Sequence, residues 1–264
     1  MNRLFQKISK DELALGVWIK GGPHLVSTIA RAGFDFVRPD MMFSALDWKE
    51  LDHIHRTAES VGIATWLRIP SNPWLAGEGA MQVVVDAARA FSLGVPVVQV
   101  SVASAQQVRA LVEVAKDWHR SGAGEYPNSN DSFTNQGSRV IEETMVVPAI
   151  ESRSAIEQLD EILEIEGLRA IQLACTDFSK ELGYPFQYEH PEVWKAIDRL
   201  SEKARARGIL VVANTGYDYT TYDEIAGRVQ RLYDHGVRVV LMQGAEFLLE
   251  SFSKTLIEKI KSAA

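Results

Sequence analysis

Eight short apolar runs, each followed by a longer stretch, nearly always of helical period, constrain this chain more than any other feature of its sequence. The runs cover residues 15–19, 34–39, 64–69, 95–100, 145–150, 170–174, 209–213 and 237–242. They are too short for amphipathic helices and too uniformly apolar for strands with one wet face. They read as strands buried on both sides. Between them, residues 47–61 put Leu51, Ile54 and Ala58 on one helical side. Residues 154–166 repeat that spacing with Ile156, Leu159, Ile162 and Leu163, behind Ser154 as an N-cap with Glu157 three residues on. Residues 192–207 follow Pro191 and stop at Gly208. Gly33, Gly62, Gly94, Gly167, Gly208 and Gly236 stand at the handovers from helix to strand, where a C-cap often needs positive φ.

Such alternation implies parallel strands joined by right-handed crossovers, and eight repeats predict one (β/α)8 TIM barrel over residues 1–264. The first strand–helix turn lacks G-x-G-x-x-G, which disfavours a dinucleotide site. The polar, turn-rich stretch 121–143 breaks the rhythm and reads as an insertion, either a surface excursion or a functional loop. Residues 245–262 carry Phe247, Leu248, Phe252, Leu256 and Ile260 at helical spacing. That apolar face closes the barrel or packs on another subunit.

A net charge of −7 with no basic stripe argues against nucleic acid as a partner. Cys175 is the only cysteine, so no intramolecular disulfide forms and a reducing, cytoplasmic setting is expected. No apolar run approaches the roughly 18 residues of a membrane span. Residues 1–12 are mixed and charged, unlike a secretory signal.

In a (β/α)8 barrel the active site lies at the C-terminal ends of the strands. The second run ends in Arg38-Pro39-Asp40, the third in Arg68-Ile69-Pro70, the fifth in Glu151-Ser152. The sixth ends in Cys175-Thr176-Asp177 and the seventh in Asn214-Thr215. Two carboxylates on adjacent strand ends, Glu151 and Asp177, without a Cys/His ligand set, suit a hard cation such as Mg²⁺ or Mn²⁺; Co²⁺ is also accommodated. Arg68 suits an enolate or carboxylate oxygen, or else forms a structural ion pair with Glu151 or Asp177. Cys175 reads as a packing residue, and His53 and His55 as surface or packing residues on the second helix. Met41, Met42, Phe43, Trp66 and Trp74 suggest an apolar rim.

The ordered blocks Gly16-Val17-Trp18, Ala32-Gly33-Phe34-Asp35-Phe36-Val37, Leu67-Arg68-Ile69-Pro70 and Leu93-Gly94-Val95 carry a resemblance that continues downstream. It runs on through Ser104-Ala105-Gln106-Gln107, Ile150-Glu151-Ser152, Leu159-Asp160-Glu161-Ile162, Thr176-Asp177-Phe178-Ser179 and His190-Pro191-Glu192-Val193. Together they resemble the HpcH/HpaI aldolase/citrate lyase family of metal-dependent (class II) pyruvate aldolases. The resemblance implies that Glu151 and Asp177 ligate a divalent metal, that Arg68 holds the keto or enolate oxygen, and that backbone N–H groups at Thr176 and Asp177 receive the substrate carboxylate. It implies a small 2-oxo acid and an aldehyde as reaction partners, and a homo-oligomer built partly through the last helix.

The chain departs from the family pattern beside the site. The family's Asp-x-Glu-His is Asp40-Met41-Met42-Phe43 here, so Phe43 replaces the histidine expected to move the proton. Three explanations stand: His24, in the loop after the first run, substitutes for it; a water on the metal does; or the reaction differs. The last includes oxaloacetate decarboxylation, which needs no hydroxyl base, and a barrel that binds a 2-oxo acid without turning it over. The family's Gly-Pro is Ala174-Cys175, a glutamine is Ala149, and a proline is Ser101. The reading is an intact metal shell in altered surroundings.

Overall fold

All eight apolar runs become strands. The computed structural model describes residues 2–71, 79–120, 144–216 and 221–263. Its strands are β1 (Ala14–Ile19), β2 (Phe36–Pro39), β3 (Ala64–Arg68), β4 (Val97–Ser101), β5 (Met145–Ile150), β6 (Ala170–Leu173), β7 (Leu210–Asn214) and β8 (Val239–Gly244). They pair in parallel in chain order, and β8 returns to β1, closing the (β/α)8 barrel.

The helices are α1 (Arg3–Ile8), α2 (Pro23–Arg31), α3 (Trp48–Ser60), α4 (Gly79–Ser92), α5 (Ala105–Arg120) and α6 (Arg153–Glu157). They continue with α7 (Leu159–Leu163), α8 (Cys175–Glu181), α9 (Pro191–Arg205), α10 (Tyr222–Asp234) and α11 (Ala245–Ala263). All six handover glycines have positive φ, as at Gly62 (76°). No helix among the described residues is long and apolar enough to cross a membrane. Residues 121–143 and Trp74 lie outside the described residues.

One predicted helix is broken. Residues 154–166 form the two short helices α6 and α7, with Gln158 (φ −95°, ψ 11°) between them. Gln158 Oε1 accepts the Ala105 N–H at 3.0 Å, tying the break to the start of α5. The N-cap is Ser152, whose hydroxyl accepts from Ala155 N at 3.3 Å. Ser154 instead donates to the Ala103 carbonyl at 2.7 Å.

Period-two alternation sorts the strand residues into two layers. Outward-facing Val, Ile and Leu pack beneath the helices in one large cluster. Inward-facing Ala14, Phe36, Ala64, Trp66, Val97, Met145, Val147, Ala170, Val212, Val239 and Leu241 form a second. Leu4 and Phe5 of α1 join it from below, so the first helix plugs the barrel's lower end. Gly16 leaves room for this packing: a Cβ there would lie 2.0 Å from the Phe36 ring, which itself stacks 5.0 Å from Trp66.

Between α3 and β3, His55 is buried, its Nδ1 3.2 Å from Thr65 Oγ1. Burial holds its pKa below that of a free histidine, although Glu59 pulls the other way. The unfolded ring binds a proton near about pH 6.5, whereas the folded ring resists it. Stability contributed by the neutral ring is therefore present above the unfolded pKa and is lost progressively as pH falls from there through the lower folded pKa. We expect the wild-type Tm to drop more steeply than that of His55→Gln between about pH 7 and pH 5. Parallel Tm–pH curves for the two proteins would show that His55 carries no such linkage.

Candidate active site

Counting on by two from the apolar inner layer reaches the upper half of the barrel, and there the residues turn polar. Arg38, Gln99, Gln172 and Gln243 are all at most 4% exposed. Above or beside them come Asp40, Arg68, Ser101, Glu151 and Asn214. Arg38 Nε donates to Gln99 Oε1 at 2.7 Å, and Trp66 Nε1 donates to the same oxygen at 3.2 Å. Gln172 Oε1, Gln243 Oε1 and Trp18 Nε1 are buried without a protein hydrogen-bond partner among the described residues. Unpaired buried polar atoms are costly, and a cluster at one end of a barrel marks space that water or ligand atoms fill.

Arg68 is not paired with Glu151 or Asp177. Its partner is Asp40, fully buried, which accepts from Arg68 Nε at 3.0 Å and from Nη2. Asp40 Oδ1 also accepts from Met42 N (2.9 Å) and Phe43 N (3.2 Å), so one carboxylate fixes both the arginine and the loop after β2. Burial alone would raise the Asp40 pKa. The hydrogen bond and charge of Arg68, the charge of Arg38 and the Met42 N–H together lower it below the usual carboxylate range. Asp40 thus stays ionised and acts as a clamp. The Arg68 guanidinium lies 4.6 Å from the Phe43 ring and 5.7 Å from the Trp18 ring.

Glu151 closes β5 and is 8% exposed. Burial raises its pKa, Asp177 adds to the rise, and Ser101, Arg68 and Arg38 oppose it. Asp177 lies in the first turn of α8, with Lys180 Nζ 2.8 Å from its Oδ1. A buried carboxylate held close enough to a second one to feel its charge fits a divalent cation, which relieves both burial and repulsion. Among the described residues no group of three or more His, Cys, Asp or Glu side chains is placed to hold a metal ion by itself. The remaining positions of such an ion would fall to water and substrate oxygens.

The first turn of α8 also places Thr176 and Asp177, whose N–H groups have no acceptor within the helix. Cys175 N is already taken, by Asn214 Oδ1 at 3.0 Å. Thr176 Oγ1 is 3.1 Å from the hydroxyl of buried Tyr188. Burial pushes the Cys175 thiol up to about 11, which makes it a packing residue and not a nucleophile. His24 is exposed on the first turn of α2, with its ring folded toward Gly22. Gly22 N is anchored to Glu50 Oε1 at 2.9 Å. Among the described residues no hydrogen bond joins His24 to Arg68, Glu151 or Asp177.

The sequence model of the HpcH/HpaI aldolase/citrate lyase family matches residues 15–244. The chain belongs to that family. A hydroxypyruvate/pyruvate aldolase of Roseobacter denitrificans is 25% identical, over 99% of this chain and 98% of that protein. A 2-keto-3-deoxy-L-rhamnonate aldolase of Escherichia coli K12 is also 25% identical, over 80% of each. Among solved structures, an HpcH/HpaI aldolase from Desulfitobacterium hafniense superposes with a TM-score of 0.79 at 21% identity, covering 99% of this chain and 97% of that one. The citrate synthase SbnG gives 0.76 at 21% identity, covering 99% and 98%. At these identities the structures establish a shared fold.

Against the HpcH/HpaI pattern, the most informative departure is Ala149. It pairs in register with Gln172 on β6. Gln172 therefore places a carboxamide on the strand beside it. The sequence reading missed Gln99, Gln172, Gln243 and Tyr188. For the three glutamines the signal was present, since each lies two residues on from an inward-facing apolar residue of its strand. Tyr188 follows α8 in a loop, where no periodicity applies.

Proposed function

We propose that this chain is a divalent-metal-dependent carbon–carbon lyase that cleaves or forms a bond next to a 2-oxo acid, with pyruvate as the common product. The observation that carries this reading is a buried Glu151 that feels the charge of Asp177, together with an arginine clamped by Asp40. The aldolases to which the chain is 25% identical support it. A cation such as Mg²⁺ or Mn²⁺, held by Glu151 and Asp177, would supply Lewis-acid polarisation of the oxo acid's carbonyl.

The chain's own groups do the rest. Arg68 donates to the oxygen that gains charge as the bond breaks, and Asp40 keeps the guanidinium aimed without reorganisation. The N–H groups of Thr176 and Asp177 receive the carboxylate. His24, exposed in the first turn of α2, is the base assigned to the hydroxyl proton. The exposed Phe43 ring on Arg68, where no base stands, favours a second reading, decarboxylation of oxaloacetate at the same site.

Pyruvate release from a panel of 4-hydroxy-2-oxo acids and from oxaloacetate, with EDTA or with Mg²⁺ or Mn²⁺, separates these readings. Metal-dependent release from a hydroxy-oxo acid is expected, and His24→Ala should slow it. Release from oxaloacetate alone would move the function to decarboxylation. Silence throughout would leave a binding barrel.

The chain is also proposed to assemble as a homo-oligomer through α11. That helix has 19 residues and exposes Phe247, Leu249, Phe252, Leu256, Ile257 and Ile260. Beside its base lies an apolar groove of about 470 Å³, lined by Leu15, Ile225, Val229, Met242 and Leu248 among others. An apolar helix face and an apolar groove on one chain are complementary between two copies. The single, buried cysteine suits a reducing, cytoplasmic setting.

A further inference from the structure

We propose that Phe43 selects the part of the substrate beyond the oxo acid, favouring an aldehyde-derived portion that is apolar or aromatic over a polyhydroxylated one. The inference rests on the lyase reading. Phe43 is 62% exposed although its backbone is fixed, by its own N–H on Asp40 Oδ1 at 3.2 Å and by the Ser44 hydroxyl on the Asp40 carbonyl. One part of the ring meets the Arg68 guanidinium 4.6 Å away, and the rest faces solvent.

Any ligand oxygen held by Arg68 at ordinary hydrogen-bond length, about 3 Å, lies within reach of that ring through two or three further carbons. What those carbons carry decides the outcome. Hydroxyl groups laid against the ring would surrender water without gaining a partner. An apolar or aromatic substituent would instead bury its own surface and that of Phe43.

The test compares 2-oxo-4-phenylbutanoate with 2-oxobutanoate, binding each by calorimetry in saturating Mn²⁺. Both carry the same head group, and neither has the 4-hydroxyl that cleavage requires. The phenyl acid should bind about tenfold more tightly to the wild type. In Phe43→Ala the ratio of the two dissociation constants should collapse toward one, and Phe43→Tyr, which keeps the ring, should restore it. If 2-oxobutanoate binds but the ratio is near one in the wild type, or unchanged in Phe43→Ala, the assignment of Phe43 is overturned and the metal site stands. If neither acid binds in the presence of Mn²⁺, the lyase reading and this inference fall together.

Discussion

Glu151→Gln is expected to lower metal-stimulated pyruvate release by about three orders of magnitude, the equivalent of several kcal/mol of transition-state stabilisation. The substitution keeps the size of the side chain and its capacity to bond Ser101, but it removes one of the two charges offered to the cation. Mn²⁺ affinity should fall with activity. The metal-free protein should behave differently, because there the carboxylate is a burden: it is 8% exposed and feels the charge of Asp177. Neutralising it removes a buried charge that Ser101, Arg68 and Arg38 compensate only in part, so Tm without metal should be unchanged or higher. Loss of activity together with a large drop in Tm would instead assign Glu151 to structure.

The second large effect is expected at α11. Phe252→Glu combined with Leu256→Glu should convert an oligomer into a monomer at micromolar concentration, read as molar mass by light scattering. Both side chains are exposed, 54% and 45% respectively, so the folded barrel loses little by the exchange. An interface would lose roughly 1.5–3 kcal/mol for each large apolar side chain removed, and would bury two new charges as well. That sum weakens association by more than about a thousandfold. A wild type that is already monomeric would contradict the account, as would a doubly substituted protein of unchanged mass.

The barrel was legible because a parallel strand buried on both faces leaves no choice of residue. Each of β1 to β8 falls within two residues of a predicted run. Site residues were legible only as the polar ends of runs, which reached Asp40, Arg68 and Glu151 but not the buried glutamines within the strands. Partnerships were not. Nothing in the sequence says that Arg68 takes Asp40, 28 residues earlier, in preference to Glu151 or Asp177. That choice follows from adjacency, since Asp40 and Arg68 form a parallel bridge at the ends of β2 and β3. Gln158 escaped notice for a similar reason. Its helix-breaking contact is with Ala105, 53 residues earlier in the chain, where no local pattern reaches. The plug made by Leu4 and Phe5 was hidden by the charged residues around it.

The central claim is that Glu151 and Asp177 together hold a divalent cation at the top of the barrel. Anomalous diffraction at the manganese edge, from crystals grown with Mn²⁺ and 2-oxobutanoate, tests it most directly. The account predicts one strong peak within about 2.0–2.4 Å of a carboxylate oxygen from each residue, with the oxo acid completing the coordination. A peak elsewhere, or none between these two carboxylates at saturating Mn²⁺, would contradict it.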